Sequence, residues 1–214
     1  MKQFLTLLLL FTATNLCQAQ GKHPIQWWVY GTAGHYFPAV QNSSLRYTHE
    51  GWNAGLGAYG AIPLWAGFSV QAGLGYRYLF NGQTYYTYST DATGTVGSDP
   101  SYDEAISTDF REYSKHYLTL PLKLRYTTKS KLFVESGVEA AWLLNYKYRT
   151  AKTEFNWLLG AGIALGPMDC SVQYVKALDP QSIGGKVAGG PWEQEDFKNR
   201  MFNIQIAYPL SRAK

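Results

Sequence analysis

The 214-residue sequence predicts an all-β fold, an eight-stranded antiparallel up-and-down transmembrane β-barrel. Two observations lead to this fold. Apolar and polar side chains alternate along eight segments, and the connections between those segments alternate between long and short. Composition agrees, because Tyr, Trp and Gly are abundant and 16% of the residues are aromatic. That aromatic content excludes a disordered chain, and a net charge of +4 without any run of Lys or Arg argues against a nucleic-acid partner.

Residues 1–19 have the features of a cleavable signal peptide. A positive start precedes a short apolar core, and Cys17 and Ala19 supply the small residues expected before a cleavage site. We therefore predict export, with residues 20–214 forming the outer-membrane barrel domain. A lipoprotein anchored through Cys17 is the alternative interpretation, which we rank second to a cleavable signal peptide. Cleavage would leave Cys170 as the single cysteine, which we expect to face lipid and to be inert.

Eight segments show the alternation expected of half-buried strands. They are 25–36, 51–62, 67–80, 116–126, 131–148, 155–165, 168–177 and 202–208. In the third segment, for example, Phe68 and Leu74 share one face while Gln71 and Arg77 share the other. Pro121 interrupts the fourth segment. Because proline forfeits a ladder hydrogen bond, we expect a local bulge there.

The connections predict the orientation of the barrel. In order they are 37–50, 63–66, 81–112, 127–130, 149–154, 166–167 and 178–196. Outer-membrane barrels combine tight periplasmic turns with longer external loops, so an even strand number places both termini at the periplasmic end. Trp65 and Tyr126 should then mark the inner membrane interface. The outer interface should carry Tyr76, Tyr78, Tyr146 and Tyr148.

Charged residues on the polar faces should point into the barrel, because Lys or Arg facing lipid at mid-membrane would cost roughly 2–4 kcal/mol. The predicted interior charge network comprises Arg77, Lys123, Arg125, Glu135, Glu139 and Lys147, with Asn145 on the same face. An eight-stranded interior has room only for its own side chains, so these charges must neutralise one another. In the hairpin through residues 127–130, one pairing register places Lys123 opposite Glu135. A register shifted by two residues places Arg125 opposite Glu135 instead.

Three motifs resemble small outer-membrane barrels of the PorT-like group common in Bacteroidetes, which share the OmpA-like eight-stranded layout. Residues 117–126 (YLTLPLKLRY) resemble the Y-L-x-I-P-L-x-x-K-Y strand of that group. Residues 133–137 resemble its following strand, and residues 157–163 resemble its Gly-rich sixth strand. The resemblance implies an outer-membrane location and a role in envelope assembly or protein secretion. It departs at the end of the chain, where Tyr208 is followed by six further residues instead of ending the barrel.

The long connection 81–112 is a candidate external binding loop, because Tyr with small polar residues is a composition that recognition loops favour. Its candidate residues are Tyr85, Tyr86, Tyr88, Asp91, Asp99, Asp103, Glu104 and Asp109. A solvated surface loop is the simpler interpretation. The acidic residues lack calcium-loop spacing, and no sequence motif points to a metal, a cofactor or a catalytic residue.

The sequence favours a non-enzymatic, integral outer-membrane protein that contacts outer-membrane lipid and acts as a structural or partner-binding component of the envelope. Its external loops or its periplasmic rim are the candidate surfaces for an envelope or secretion partner. Two alternatives stay open. A lipid-modifying enzyme would need a catalytic group at the outer rim, where His116, Ser114 and Glu112 are the local candidates. In the second alternative, a soluble lipocalin-like binding barrel, the apolar faces of the strands would point inward and the charged faces would point outward.

Overall fold

The computed structural model describes residues 25–42, 46–87, 107–145, 153–186 and 192–210. These residues form strands and turns, and no helix among them is long and apolar enough to cross a membrane. The strands are β1 (Gln26–Tyr36), β2 (Ala39–Asn42), β3 (Arg46–Pro63), β4 (Phe68–Thr87), β5 (Ser107–Thr127), β6 (Leu132–Leu143), β7 (Thr153–Leu165), β8 (Met168–Ala177), β9 (Gln181–Lys186), β10 (Trp192–Lys198) and β11 (Arg200–Pro209).

Eight of these strands close into an antiparallel barrel, which confirms the predicted fold class. The order around the barrel is β1-β11-β8-β7-β6-β5-β4-β3. Each predicted segment corresponds to one barrel strand. The first and last strands pair with each other, from Trp28 opposite Pro209 to Tyr36 opposite Met201, and this pairing leaves no open sheet edge in the barrel.

Three short turns gather at one end of the barrel, here called the turn end. The β3–β4 turn closes through the Phe68 N–H, which donates to the Trp65 carbonyl at 2.9 Å. The β5–β6 turn closes through the Lys131 N–H and the Thr128 carbonyl at 3.0 Å. Between β7 and β8 only Gly166 and Pro167 intervene, and Gly166 adopts a φ of 62°. Glycine takes this left-handed conformation without steric cost, so the hairpin stays tight.

The opposite end, the loop end, carries more strand than the sequence predicts. The predicted connection 81–112 is shorter, because residues 81–87 extend β4 and residues 107–112 extend β5. Residues 46–50 of the predicted connection 37–50 begin β3. The rest of that connection contains β2, and the predicted connection 178–196 contains β9 and most of β10; these three strands form a separate sheet in the order β2-β10-β9. These segments show no clear period-two alternation, so the sequence pattern does not predict them as strands.

The two faces of the barrel differ sharply in polarity. The outward face is apolar and accessible on every barrel strand; examples are Leu56, Leu74, Val138, Leu159, Val172 and Ile204. Outward aromatic residues mark both ends of this band. Those at the turn end include Trp27, Trp65, Phe68, Tyr126 and Tyr208, and those toward the loop end include Trp52, Tyr76, Tyr78, Phe80, Tyr174 and Phe202. Tyr146 and Tyr148, also predicted for the outer interface, lie outside the described residues.

Two local expectations are wrong. β6 ends at Leu143, so Asn145 does not point into the barrel. Its exposed side chain instead accepts from the His116 N–H and donates to the Ser114 carbonyl, which satisfies the edge of β5 beyond the end of β6. Pro121 causes no bulge. The pairing of β5 with β4 lapses opposite Leu120 and Pro121 and resumes in the same register.

Candidate functional site: the interior charge network

The polar faces of β4, β5, β6 and β8 place six charged side chains inside the barrel. Arg77, Lys123, Arg125, Glu135, Glu139 and Asp169 retain only 4–8% of their accessible surface. Three are cations and three are anions, so the set is neutral. This balance matters because a buried charge is stable only beside an opposite charge with its remaining hydrogen bonds satisfied.

The six side chains form three ion pairs, each of which joins different strands. Arg77 Nη2 lies 2.7 Å from both carboxylate oxygens of Glu139, so this pair reaches from β4 across β5 to β6. Lys123 Nζ contacts both oxygens of Glu135, at 3.1 and 3.2 Å. Arg125 donates through Nη1 to Asp169 on β8, three strands away.

Buried amides connect two of these pairs to other walls of the barrel. Gln173 Nε2 donates to Glu135 Oε1 at 2.6 Å and lies 2.8 Å from Gln205 Oε1 on β11. Asn156 on β7 donates to Glu139 Oε1 at 3.0 Å. Hydrogen bonds to ionised groups are the stronger kind. The network therefore ties six of the eight barrel strands together through side chains, in addition to their backbone ladders.

Aromatic rings and one small residue complete the packing around the charges. The Arg125 guanidinium lies 3.5 Å from the centre of the Phe133 ring, and Lys123 Nζ lies 5.4 Å from that of Tyr59. Both distances are within the range of cation–π attraction. Gly160 faces the bond between Glu135 and Gln173, and a Cβ there would lie 3.0 Å from Glu135 Cγ and 3.1 Å from Gln173 Cγ. The missing side chain leaves room for that hydrogen bond.

An apolar layer fills the barrel on the loop-end side of the charges. Its buried members are Tyr36, Leu79, Tyr117, Ala141, Leu143, Leu158, Val175 and Met201. An interior cavity among the described residues has a volume of about 30 Å³ and is lined by polar groups that include Arg77, Glu139 and Asn203. That volume accommodates a water molecule or two but no larger solute. The arrangement can brace the barrel wall, and it fills much of the described interior.

The network differs in membership from the one the sequence predicts. Five predicted members are buried and ion-paired, whereas Lys147 lies outside the described residues. The sequence prediction omitted two members of the network, Asp169 and Gln173 of β8, both buried. It also omitted Glu154 of β7, which is buried beside the network and accepts a hydrogen bond from the Asn199 amide. The signal was present, because Asp169, Ser171 and Gln173 alternate with Cys170 and Val172.

The candidate external binding residues are only partly within the described ranges. Tyr85 and Tyr86 belong to β4 and Asp109 belongs to β5. Tyr88, Asp91, Asp99, Asp103 and Glu104 lie outside the described residues, as does the predicted signal peptide. Within the described part of the chain, no group of three His, Cys, Asp or Glu side chains is arranged to hold a metal ion.

His116, the centre of the alternative catalytic hypothesis, lies among aromatic rings on the outward face. Its Nδ1 shares a hydrogen bond with the Tyr76 hydroxyl, and its ring packs edge-on against Tyr78 at 5.1 Å. Ser114 lies two residues away on the same strand, and its carbonyl accepts from Asn145. The imidazole is thus engaged as part of the aromatic belt.

Similarity to one solved structure supports the fold. No protein-family model and no curated protein sequence matches the chain. Among solved structures, the outer-membrane protein OprG from Pseudomonas aeruginosa aligns with a TM-score of 0.52 and 10% identity, over 89% of this chain and 98% of that one. Neisserial surface protein A aligns with a TM-score of 0.46 and 13% identity, over 85% of this chain and 96% of that one. Outer-membrane protein AlkL aligns with a TM-score of 0.41 and 10% identity, over 88% of this chain and 92% of that one.

Proposed function

We propose that this chain is a non-enzymatic, integral outer-membrane β-barrel that binds a protein partner of the envelope or of a secretion system at its loop end. The observation that carries this proposal is the inversion of polarity: the closed barrel buries six charged side chains and, between its two ends, turns an apolar surface outward on every strand. A soluble lipocalin-like barrel would have the opposite arrangement. In a membrane, lipid covers the outward face and closure satisfies the backbone.

The filled interior supports binding at a rim rather than conduction. Three ion pairs and an apolar layer occupy the barrel, and the interior cavity found in the described residues is about 30 Å³. A water-filled pore would need many more strands. The interior is therefore assigned a structural role, and recognition is assigned to surfaces outside the membrane.

The length of the strands supports the loop end as the binding surface. A membrane-crossing strand needs about 9–11 residues, whereas β4 has 20 residues and β5 has 21. Roughly half of each strand therefore extends beyond the membrane on the loop side. The separate sheet of β2, β9 and β10 continues from the same end, where it follows β1 and β8 and precedes β11. Together they offer an ordered surface, which suits a protein partner. The motif resemblance to the PorT-like group supports a partner in envelope assembly or secretion.

Two experiments test this proposal in sequence. Fractionation of the native cell should recover the protein in the outer membrane, and its migration on gels should change on heating, as expected of a closed barrel. Recovery in the soluble periplasm would overturn the proposal. A tagged chain purified in mild detergent should then retain an envelope or secretion protein at a constant ratio, and a variant lacking residues 88–106 should lose it. A barrel that purifies alone, or an altered lipid A mass on deletion of the gene, would contradict the proposed role.

A further inference from the structure

Two basic side chains face outward from neighbouring strands at the loop end of the barrel. Lys176 of β8 and Arg200 of β11 are direct partners in the pairing of the two strands. Val175, Ala177 and Met201, the residues next to them, are fully buried inside the barrel. Because side chains alternate along a strand, Lys176 and Arg200 lie on the opposite, lipid-side face.

Aromatic residues surround this basic pair. Trp157 of β7 is the strand partner of Lys176 on one side, and on the other the Phe37 N–H donates to the Arg200 carbonyl at 2.9 Å. One step toward the turn end, Tyr174 and Phe202 pack with their ring centres 5.1 Å apart, and the Phe37 ring stacks on Phe202 at 5.4 Å. Aromatic residues of this kind mark the level of lipid headgroups.

The position along the barrel axis agrees with that level. On β8, Lys176 lies eight residues beyond Met168 at the turn end, and the outward residues between them are Cys170, Val172 and Tyr174. On β11, Tyr208 lies eight residues beyond Arg200, and the outward residues between them are Phe202, Ile204 and Ile206. Eight residues of a strand tilted by about 40° rise about 20 Å along the axis, close to the roughly 25 Å apolar band of outer-membrane barrels. The basic pair therefore stands where the apolar band meets the outer headgroups.

The pair has an unmet requirement for negative charge. Like charges directly opposite each other on neighbouring strands are destabilising, since their Cβ atoms lie only about 5 Å apart. Within the described residues neither side chain forms an ion pair, and Arg200 Nε is buried without a hydrogen-bond partner. An anion between the two cations would remove the repulsion between them.

We propose that Lys176 and Arg200 bind a phosphate group of the phosphorylated glycolipid that forms the outer leaflet, with its acyl chains lying along Val172, Tyr174, Phe202 and Ile204. This ligand combines the two features that the surface requires, an anion at headgroup level and hydrocarbon directly below it. The inference rests on the proposed outer-membrane location and gives the loop end a second, lipid-binding surface.

The test measures binding of diphosphorylated lipid A to the detergent-purified full barrel by native mass spectrometry. We expect wild-type protein to bind diphosphorylated lipid A more tightly than the dephosphorylated form, and the double variant K176Q/R200Q to lose about tenfold in affinity. The matched control is K129Q/K131Q, which removes the same charge from exposed residues of the β5–β6 turn at the other end. The charge-preserving variant K176R/R200K should retain binding.

Three results would overturn the proposal: equal affinity of wild-type protein for the two lipid forms, an equal loss in K129Q/K131Q, or equally tight binding of phosphatidylglycerol. The comparison of the two lipid A forms uses wild-type protein, so it remains decisive if a variant does not fold. Heat-modifiable migration, measured on the same samples, reports separately on the barrel. A barrel without phosphate-dependent binding contradicts this inference alone, and a protein without heat-modifiable migration contradicts the proposed function.

Discussion

Glu135 binds the ammonium group of Lys123 at 3.1 Å, although Arg125 is its direct partner in the pairing of β5 with β6. The ionic partner is thus the diagonal neighbour two residues along β5. Arg125 is released to pair with Asp169 of β8. The ion pairs therefore do not follow the backbone pairing of β5 with β6. As a result the two ion pairs connect three strands, β5, β6 and β8.

Replacing Glu135 with Gln should destabilise the barrel, because it leaves the Lys123 ammonium buried without its counter-ion. We expect a loss of about 3 kcal/mol in the free energy of unfolding, measured from the urea midpoint of the protein folded in lipid vesicles. The control is Glu50→Gln, which removes an exposed carboxylate that lies 3.3 Å from His35. An exposed pair contributes about 1 kcal/mol or less. Equal midpoints for the two variants would contradict an interior ion-pair network.

Arg125 should be coupled more strongly to Asp169 than to its strand partner Glu135. Double-mutant cycles built from Arg125→Gln with Asp169→Asn, and from Arg125→Gln with Glu135→Gln, measure the two coupling energies. We expect about 2 kcal/mol for the first cycle and less than about 1 kcal/mol for the second. A larger coupling energy for Arg125 with Glu135 than for Arg125 with Asp169 would show that Arg125 pairs with the residue directly opposite it on β6.

Much of this arrangement could be predicted from the sequence, and the part that could not has a physical cause. Period-two alternation reveals which face a residue occupies, so Arg77, Lys123 and Glu139 could be placed on the polar face. It does not reveal which residues stand at the same height, because barrel strands are tilted and staggered. The Arg125–Asp169 pair depends on that stagger and on contact across the barrel. Alternation therefore cannot specify it.

The loop end could be predicted less well for a different reason. Residues 81–87 and 107–112 are strand, as are 181–186 and 192–198. Alternation requires two unlike environments, lipid on one side and a packed interior on the other. Beyond the packed interior of the barrel that contrast ends, so these segments show no clear period-two alternation. Their pairing is set by backbone hydrogen bonds, which the sequence pattern does not report.

Replacing Gly160 with Ala should disturb the network from the wall of β7. The new Cβ would crowd the side chains of Glu135 and Gln173, and overpacking of this kind costs about 2 kcal/mol. Gly31→Ala is the matched control, since a Cβ at this outward position meets no atom within 4 Å. Vesicle unfolding midpoints compare the two variants. Equal stability would show that the interior has room to spare at Gly160.

Replacing Val172 with Arg should destabilise the protein only if the outward face meets lipid. Val172 is 56% accessible, so in a soluble barrel the change would be nearly neutral. At mid-membrane it should cost about 3 kcal/mol, measured as unfolding from vesicles. Leu178→Arg, at a comparably exposed site just beyond the end of β8, should cost about 1 kcal/mol or less. Equal effects at the two positions would favour a water-facing surface.

Spin labelling along β8 tests whether the outward face of this closed barrel meets lipid. Labels are placed at residues 170, 171 and 172 in single-cysteine variants reconstituted in lipid vesicles. Paramagnetic relaxation then compares the access of oxygen, which concentrates in lipid, with that of a water-soluble nickel complex. Positions 170 and 172 should be accessible to oxygen and shielded from nickel, and position 171 should be shielded from both. Nickel access at 170 and 172 would show that the outward face meets water instead of lipid.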